Sequence, residues 1–332
     1  MSPPARVVAS FACGRYDRTE PIQSGEIAPA GMELVPLVLH PADTFLRLTR
    51  DAEFDIAEMS LSGHILRTSR GDDRYVGLPI FTSRAFRHRG IVLRSEVADV
   101  ADLAGRRVAV PEYHMTAALF MRGLLRDEFG FDHRSVTWVQ AGQFSPGRVE
   151  RESLRLPPEV RVEVVTDRTI DQMLASGDVQ AATTPYTSGL AGQPDSPIRP
   201  LFTDPLAAET DYLARTGIFP IMHLVVVRRT LAERHPWVVV NLMQAFTRAK
   251  DLCLERMNGL GGHPPVALPF FLDSVAKARS LLGDDLWPYG VGPNRTTLEA
   301  ACRYSCEQGL SGRLLTPEDL FAPATLLPGY LD

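Results

Sequence analysis

Lysine is almost missing from this chain of 332 residues: Lys250 and Lys277 are the two it has, and arginine supplies the rest of the 35 basic side chains. Forty acidic residues outweigh them, for a net charge of −5, which argues against a general nucleic-acid binder. Arginine forks carboxylates in a fixed planar geometry, so recognition of small anions is open throughout the chain. A GC-rich coding sequence produces the same bias without any such function. Cysteine is scarce as well: Cys13, Cys253, Cys302 and Cys306 form no C-x-x-C pair. The last two lie one helical turn apart, which suits packing better than metal binding. The histidines show neither H-x-x-x-H nor H-E-x-x-H spacing, and no G-x-G-x-x-G or G-x-x-x-x-G-K-[ST] occurs. No zinc site, dinucleotide fold or P-loop is therefore expected. No apolar run approaches the roughly 18 residues of a membrane span. The early run 7–12 is too short for a secretory signal core, which needs about 7–15 apolar residues. A first β-strand and a cytoplasmic location are the expectation.

What is present is ordinary globular composition, 45% hydrophobic and 23% charged, in a length that suits about two domains. Short apolar runs predict strands at 7–11, 32–39, 54–59, 75–81, 90–94, 107–110, 136–139, 160–165, 179–183 and 221–228. Helical patterns fall between them at 41–50, 115–129 and 169–176. Met115, Leu119, Phe120, Leu124 and Phe129 make an apolar stripe that Gly130 ends. Strands alternating with helices predict an α/β protein with largely parallel sheets. Beyond 228 the strands stop, and long helices are expected at 230–257, 268–282 and 296–308. Thr316-Pro-Glu-Asp adds a further helix start. The polar, proline-rich stretch 141–159 reads as a surface loop. Two crossovers, near 88 and 221, suggest an insertion: residues 1–88 and 222–332 form one discontinuous domain with a helical C-terminal tail, and 89–221 form a second α/β domain. The cleft between them is the natural ligand site.

Several segments are more specific. Asp102-Leu-Ala-Gly-Arg-Arg-Val-Ala-Val resembles the start of the second domain of type II periplasmic-binding-protein folds. The further runs are Gly14-Arg-Tyr-Asp-Arg-Thr, Phe54-Asp-Ile-Ala-Glu-Met-Ser, Leu78-Pro-Ile-Phe-Thr-Ser-Arg-Ala-Phe-Arg-His, Pro111-Glu-Tyr-His-Met-Thr-Ala-Ala, Gly217-Ile-Phe-Pro-Ile-Met-His and Trp287-Pro-Tyr-Gly-Val-Gly-Pro-Asn-Arg-Thr-Thr-Leu-Glu-Ala. Together they resemble the 4,5-dihydroxyphthalate decarboxylase family over nearly the whole chain. The resemblance implies two lobes, each a mixed sheet flanked by helices. It also implies non-oxidative decarboxylation of a dihydroxylated aromatic acid without metal or organic cofactor. His114 stands where the resemblance implies Gln, and Tyr186 where it implies a basic residue, so a substrate with one carboxylate fewer or a different ring is also in view. The competing reading is a solute-binding protein for an aromatic or other small organic anion. A homo-oligomer is open, since helical tails often make subunit contacts.

The chemistry names its parts: an acid to protonate the ring carbon, an acceptor for the phenol proton, and a cation to orient the acid. Arg84, Phe86, Arg87 and His88 form the densest cluster, although a solvated basic loop would look the same. In an extended strand Arg87 and His88 would face opposite ways. Glu112, His114 and Thr116 lie between a strand and a helix, where backbone N–H groups can bind an anion; the plain alternative is a helix cap. His223 interrupts an apolar strand, where a lone histidine is more often a core residue. His88, His223 and Glu112 are the candidate proton-transfer groups. Tyr16, Asp17, Ser60 and Ser62 follow strands, as ligand loops do, but could be turn and cap residues. Arg148 with Glu150, Thr184, Tyr186 and Phe219 complete the expected contacts.

Overall fold

The computed structural model describes residues 6–147, 152–257 and 266–326. Two mixed sheets organise them. The first has the order β2 (Met32–Val38), β1 (Val7–Cys13), β3 (Ile56–Ser60), β11 (Ile221–Arg228) and β4 (Tyr75–Arg84). The second has the order β10 (Ile198–Pro200), β5 (Ile91–Arg94), β9 (Ala181–Thr183), β6 (Arg107–Val110), β7 (Thr137–Gly142) and β8 (Arg161–Thr169). Every strand of the second sheet thus falls between β4 and β11 of the first, and the chain crosses over twice. This is the two-lobed α/β arrangement that the resemblance implies. Strands β1 to β3 run parallel, as do β9, β6, β7 and β8, while β11 returns antiparallel between β3 and β4. β11 is covered on both faces, hence its nearly unbroken apolar run Leu224–Val227.

Several expected elements differ. The single helix expected over 230–257 is two, Arg229–Arg234 and Trp237–Met257. Pro236 lacks an N–H and pushes His235 out of helical geometry. Helix Pro205–Thr216 and strand β10 were not expected, and Ser60 does cap the helix that follows it, Leu61–Ser69. The described part of the stretch 141–159 is not a free surface loop. Glu152 is buried in a bidentate ion pair with Arg67 of the first lobe (2.8 and 3.1 Å), and Leu154 and Leu156 pack on the main core.

The C-terminal helix Arg295–Glu307 lies against helix Leu61–Ser69 of the first lobe and helix Thr116–Phe129 of the second. Tyr304 donates to Asp127 (2.6 Å), and Arg303 pairs with the same carboxylate. Gln308 accepts from the buried Arg122 (2.7 Å) and donates to the Leu119 carbonyl (3.0 Å). Gly123 admits this packing: a Cβ there would meet the Tyr304 ring at 2.4 Å. Among the described residues no helix is long and apolar enough to cross a membrane.

Candidate active site

The site begins with a carboxylate where an apolar side chain would be ordinary. Glu58 lies in the middle of β3, completely buried. Its Oε1 accepts from Tyr16 Oη (2.6 Å) and Thr82 Oγ1 (3.0 Å) and stands 2.7 Å from Nδ1 of His223. Its Oε2 accepts from the Gly14 backbone N–H (2.9 Å), with Cys13 Sγ at 3.7 Å. Burial alone would raise the carboxyl's pKa. The charge and hydrogen bond of His223, with those of Tyr16 and Gly14, more than offset it and hold Glu58 at about 2. The anion in turn joins burial in pushing the Tyr16 phenol well above its ordinary range.

His223 pairs with Ser60 of β3 in regular register, one position along the same face from the Val225–Glu58 pair, so the sheet sets its ring diagonally across from Glu58. The register with β4 shifts on both sides of it, between Ile221 and His223 and again between His223 and Val225. The first shift leaves an extra residue in β11 and the second leaves its extra residues in β4. Met222 and Leu224, either side, are buried. With Nδ1 committed to Glu58, Nε2 is the ring nitrogen left to the cleft. Phe45 meets the imidazole edge to face at 4.9 Å.

The cleft is a cavity of about 810 Å³ that His223 shares with Tyr16, Ser60, Ser83, Arg87, Glu112, Thr116 and Tyr186, among others. Three helices begin at its wall: Pro41–Asp51 after His40, Leu61–Ser69 after Ser60, and Thr116–Phe129 after Met115. The last has no side-chain cap, so its first-turn N–H groups remain for an anion. Across the lobes, Ser60 Oγ and Thr116 Oγ1 are 2.8 Å apart, and the Ser62 N–H donates to Thr116 Oγ1 (3.1 Å). Arg87 donates to the Pro185 carbonyl (3.0 Å) and lies 3.2 Å from Met222 Sδ. Among the described residues no carboxylate pairs with it, and burial lowers its pKa. The cavity therefore offers an incompletely neutralised guanidinium, an open helix start and a histidine backed by a buried anion.

No family model matches the chain. It is 36% identical to the 4,5-dihydroxyphthalate decarboxylase of Comamonas testosteroni over 325 residues, 97% of this chain and 98% of that one. The chain belongs to the 4,5-dihydroxyphthalate decarboxylase family. The Pseudomonas putida protein of the same name is also 36% identical, over 61% of this chain and 80% of its own length. Among solved structures, the alkanesulfonate-binding protein SsuA of Xanthomonas axonopodis pv. citri, bound to MOPS, matches at 15% identity and TM-score 0.49, covering 98% of this chain and 99% of that one.

Of the contacts expected from the sequence, Tyr16, Ser60, Arg87, Glu112, Thr116, Tyr186 and His223 meet at the cavity. The structure puts the others elsewhere. His88, an expected proton-transfer group, opens a 3₁₀ turn and is buried against Phe202 and Tyr212 (4.8 and 5.2 Å), where burial lowers its pKa to about 4. Arg84 is buried and bonds Asn294 and the Pro288 carbonyl (2.7 Å), tying β4 to the C-terminal segment. Phe86 and Phe219 stack on each other at 5.0 Å, outside the cavity lining. Asp17 pairs with the neighbouring Arg18. Ser62 bonds the His114 carbonyl, and His114 lies behind the wall with Nε2 3.7 Å from Glu112. Thr184 holds the backbone of Tyr186 (2.5 Å). Arg148 and Glu150 fall outside the described residues. Glu58 was missed; its signal was a carboxylate between Ala57 and Met59 in an apolar strand. Arg15, His40, Phe45 and Gln143 of the lining were missed too.

Proposed function

We propose that this chain decarboxylates 4,5-dihydroxyphthalate, or a closely related dihydroxylated aromatic acid, without oxidation and without a metal or organic cofactor. The observation that carries this reading is the Glu58–His223 pair at the wall of a cavity that also holds Arg87. Arg87 and the open start of helix Thr116–Phe129 orient the carboxylate that stays on the ring. The departing carboxylate lies toward Phe45, Met115 and Met222, where it is not stabilised as strongly in the ground state. The imidazolium of His223, held by Glu58, gives its Nε2 proton to the ring carbon bearing that carboxylate. Electron density comes from the para hydroxyl, whose proton passes to Glu112, a buried carboxylate in the lining. The C–C bond to the carboxylate then breaks and CO2 leaves; the electron pair restores the aromatic ring as its phenolate, which takes its proton back from Glu112. Solvent reprotonates His223. With 4,5-dihydroxyphthalate the product is protocatechuate. The lobe boundaries expected at 88/89 and 221/222 and a cytoplasmic location belong to the same proposal.

The experiment is turnover. Purified protein is incubated with 4,5-dihydroxyphthalate, with dihydroxybenzoates and hydroxypyridine dicarboxylates in parallel, and products are followed by chromatography. Reaction in heavy water is expected to place one deuterium at the carbon that lost its carboxylate. Binding of these acids with no product from any of them would replace the enzyme by a solute-binding module.

A further inference from the structure

We propose that Phe144 and Tyr186 form an aromatic clamp at the cleft mouth that selects planar rings over saturated ones; this rests on the reading that an aromatic acid occupies the cleft. Phe144 is 75% exposed and Tyr186 53%. Single exposed aromatics are common and need no explanation. These two are neighbours, with ring centroids 5.4 Å apart at 47°, and both line the cavity.

Neither ring is held by burial. Their backbones are held by polar contacts and tight turns. Behind Tyr186, the Pro185 carbonyl accepts from Arg87 (3.0 Å). The Tyr186 carbonyl accepts from Gln143 Nε2 (3.0 Å) and Thr184 Oγ1 (2.5 Å). Gln143 immediately precedes Phe144, so this bond ties the two ring-bearing segments together. On the other side, the chain folds back just after β7. A Cβ on Gly142 would lie 1.8 Å from the Ser145 carbonyl and 2.9 Å from that of Gly147. Only glycine permits that fold, and the fold presents Phe144 to the mouth. Two aromatic rings on anchored backbones thus face water beside the guanidinium that would hold a ligand's carboxylate. An aromatic ring anchored on Arg87 can meet them edge to face or offset, the arrangements that aromatic pairs favour. A saturated ring of the same size and charge gains no such contact.

The test uses binding without turnover. Phthalate and cis-1,2-cyclohexanedicarboxylate are titrated calorimetrically into the wild type, Phe144→Ala, Tyr186→Ala and the conservative variants Phe144→Trp and Tyr186→Phe. The wild type is expected to prefer phthalate. Each alanine variant should lose about 3- to 10-fold in phthalate affinity and little for the saturated acid, while the conservative variants keep the preference. Both rings are exposed, so melting temperatures should stay unchanged. No preference in the wild type, or equal weakening of both ligands in the alanine variants, overturns the clamp. Loss of turnover on every acid with the preference intact would reject the decarboxylase reading and leave the clamp standing.

Discussion

Nδ1 of His223 lies 2.7 Å from Oε1 of Glu58, across two strands that are separated by 165 residues of chain. The pairing fixes which ring nitrogen faces the cleft, and it places a buried anion behind the imidazolium that would donate the proton. Glu58→Gln keeps the shape, removes the charge and permits the wrong tautomer. We expect kcat to fall by about 10²- to 10⁴-fold with KM within a few fold, the range for losing an oriented acid–base group. Circular dichroism confirms the fold. Tyr16→Phe, which removes one hydrogen bond to the same carboxylate, should show a smaller loss. A Glu58→Gln enzyme within threefold of the wild-type kcat would remove the pair from the mechanism.

The same carboxylate should be visible in acid. Its folded pKa of about 2 lies below the ordinary 4.5. It therefore contributes stability that is complete above about pH 4.5 and disappears as pH falls toward 2. Asp72, held at about 2 first by Arg74, titrates in the same window and is common to both proteins in the comparison. Urea unfolding between pH 6 and 2 should show the wild type losing more stability than Glu58→Gln, by on the order of 2–3 kcal/mol. Parallel curves would show that the carboxylate is not held as an anion.

The sequence makes the sheets legible where one feature decides them. β6 and β11 run over the residues that their apolar runs mark, 107–110 and 221–228, because charged or turn residues close both ends. Helix Thr116–Phe129 follows its stripe and stops at Gly130, which is left-handed at φ +67°. Helix Pro205–Thr216 was not legible: only Tyr212 is buried, so it shows no wide apolar face. The site was half legible for a related reason. Arg84, Arg87 and His88 cluster in sequence, but the chain turns at 85–90 and sends Arg87 to the cleft and His88 into an aromatic pocket. Glu58 and His223 meet only through the β3–β11 pairing. No local spacing encodes that contact.

Arg87 is predicted to act in binding more than in chemistry. Arg87→Ala should raise KM for the aromatic acid about 10- to 100-fold, the value of a charge-assisted contact, with kcat within about fivefold. Arg87→Lys keeps the charge but loses the fork, and should fall between. Steady-state kinetics at saturating substrate separate the two parameters. An unchanged KM in the alanine variant would take the carboxylate away from this residue.

The two lobes are stapled to each other, which bears on how ligand enters. Helix Arg295–Glu307 contacts both lobes, Asp127 receives Tyr304 and Arg303, and Arg67 holds Glu152. Opening the lobes as a hinged binding module would break these contacts together. Ligand should instead pass the mouth between fixed lobes. X-ray scattering is expected to give the same radius of gyration with and without phthalate. Gly123→Ala tests the staple directly, since its Cβ would meet the Tyr304 ring at 2.4 Å. Overpacking of this kind costs about 1–3 kcal/mol, so thermal unfolding should move down by several degrees. The loosened lobes should also lower kcat/KM. A wild type that contracts when phthalate binds, or a Gly123→Ala protein as stable and active as the wild type, would mean that the lobes move freely and the staple does not set the site.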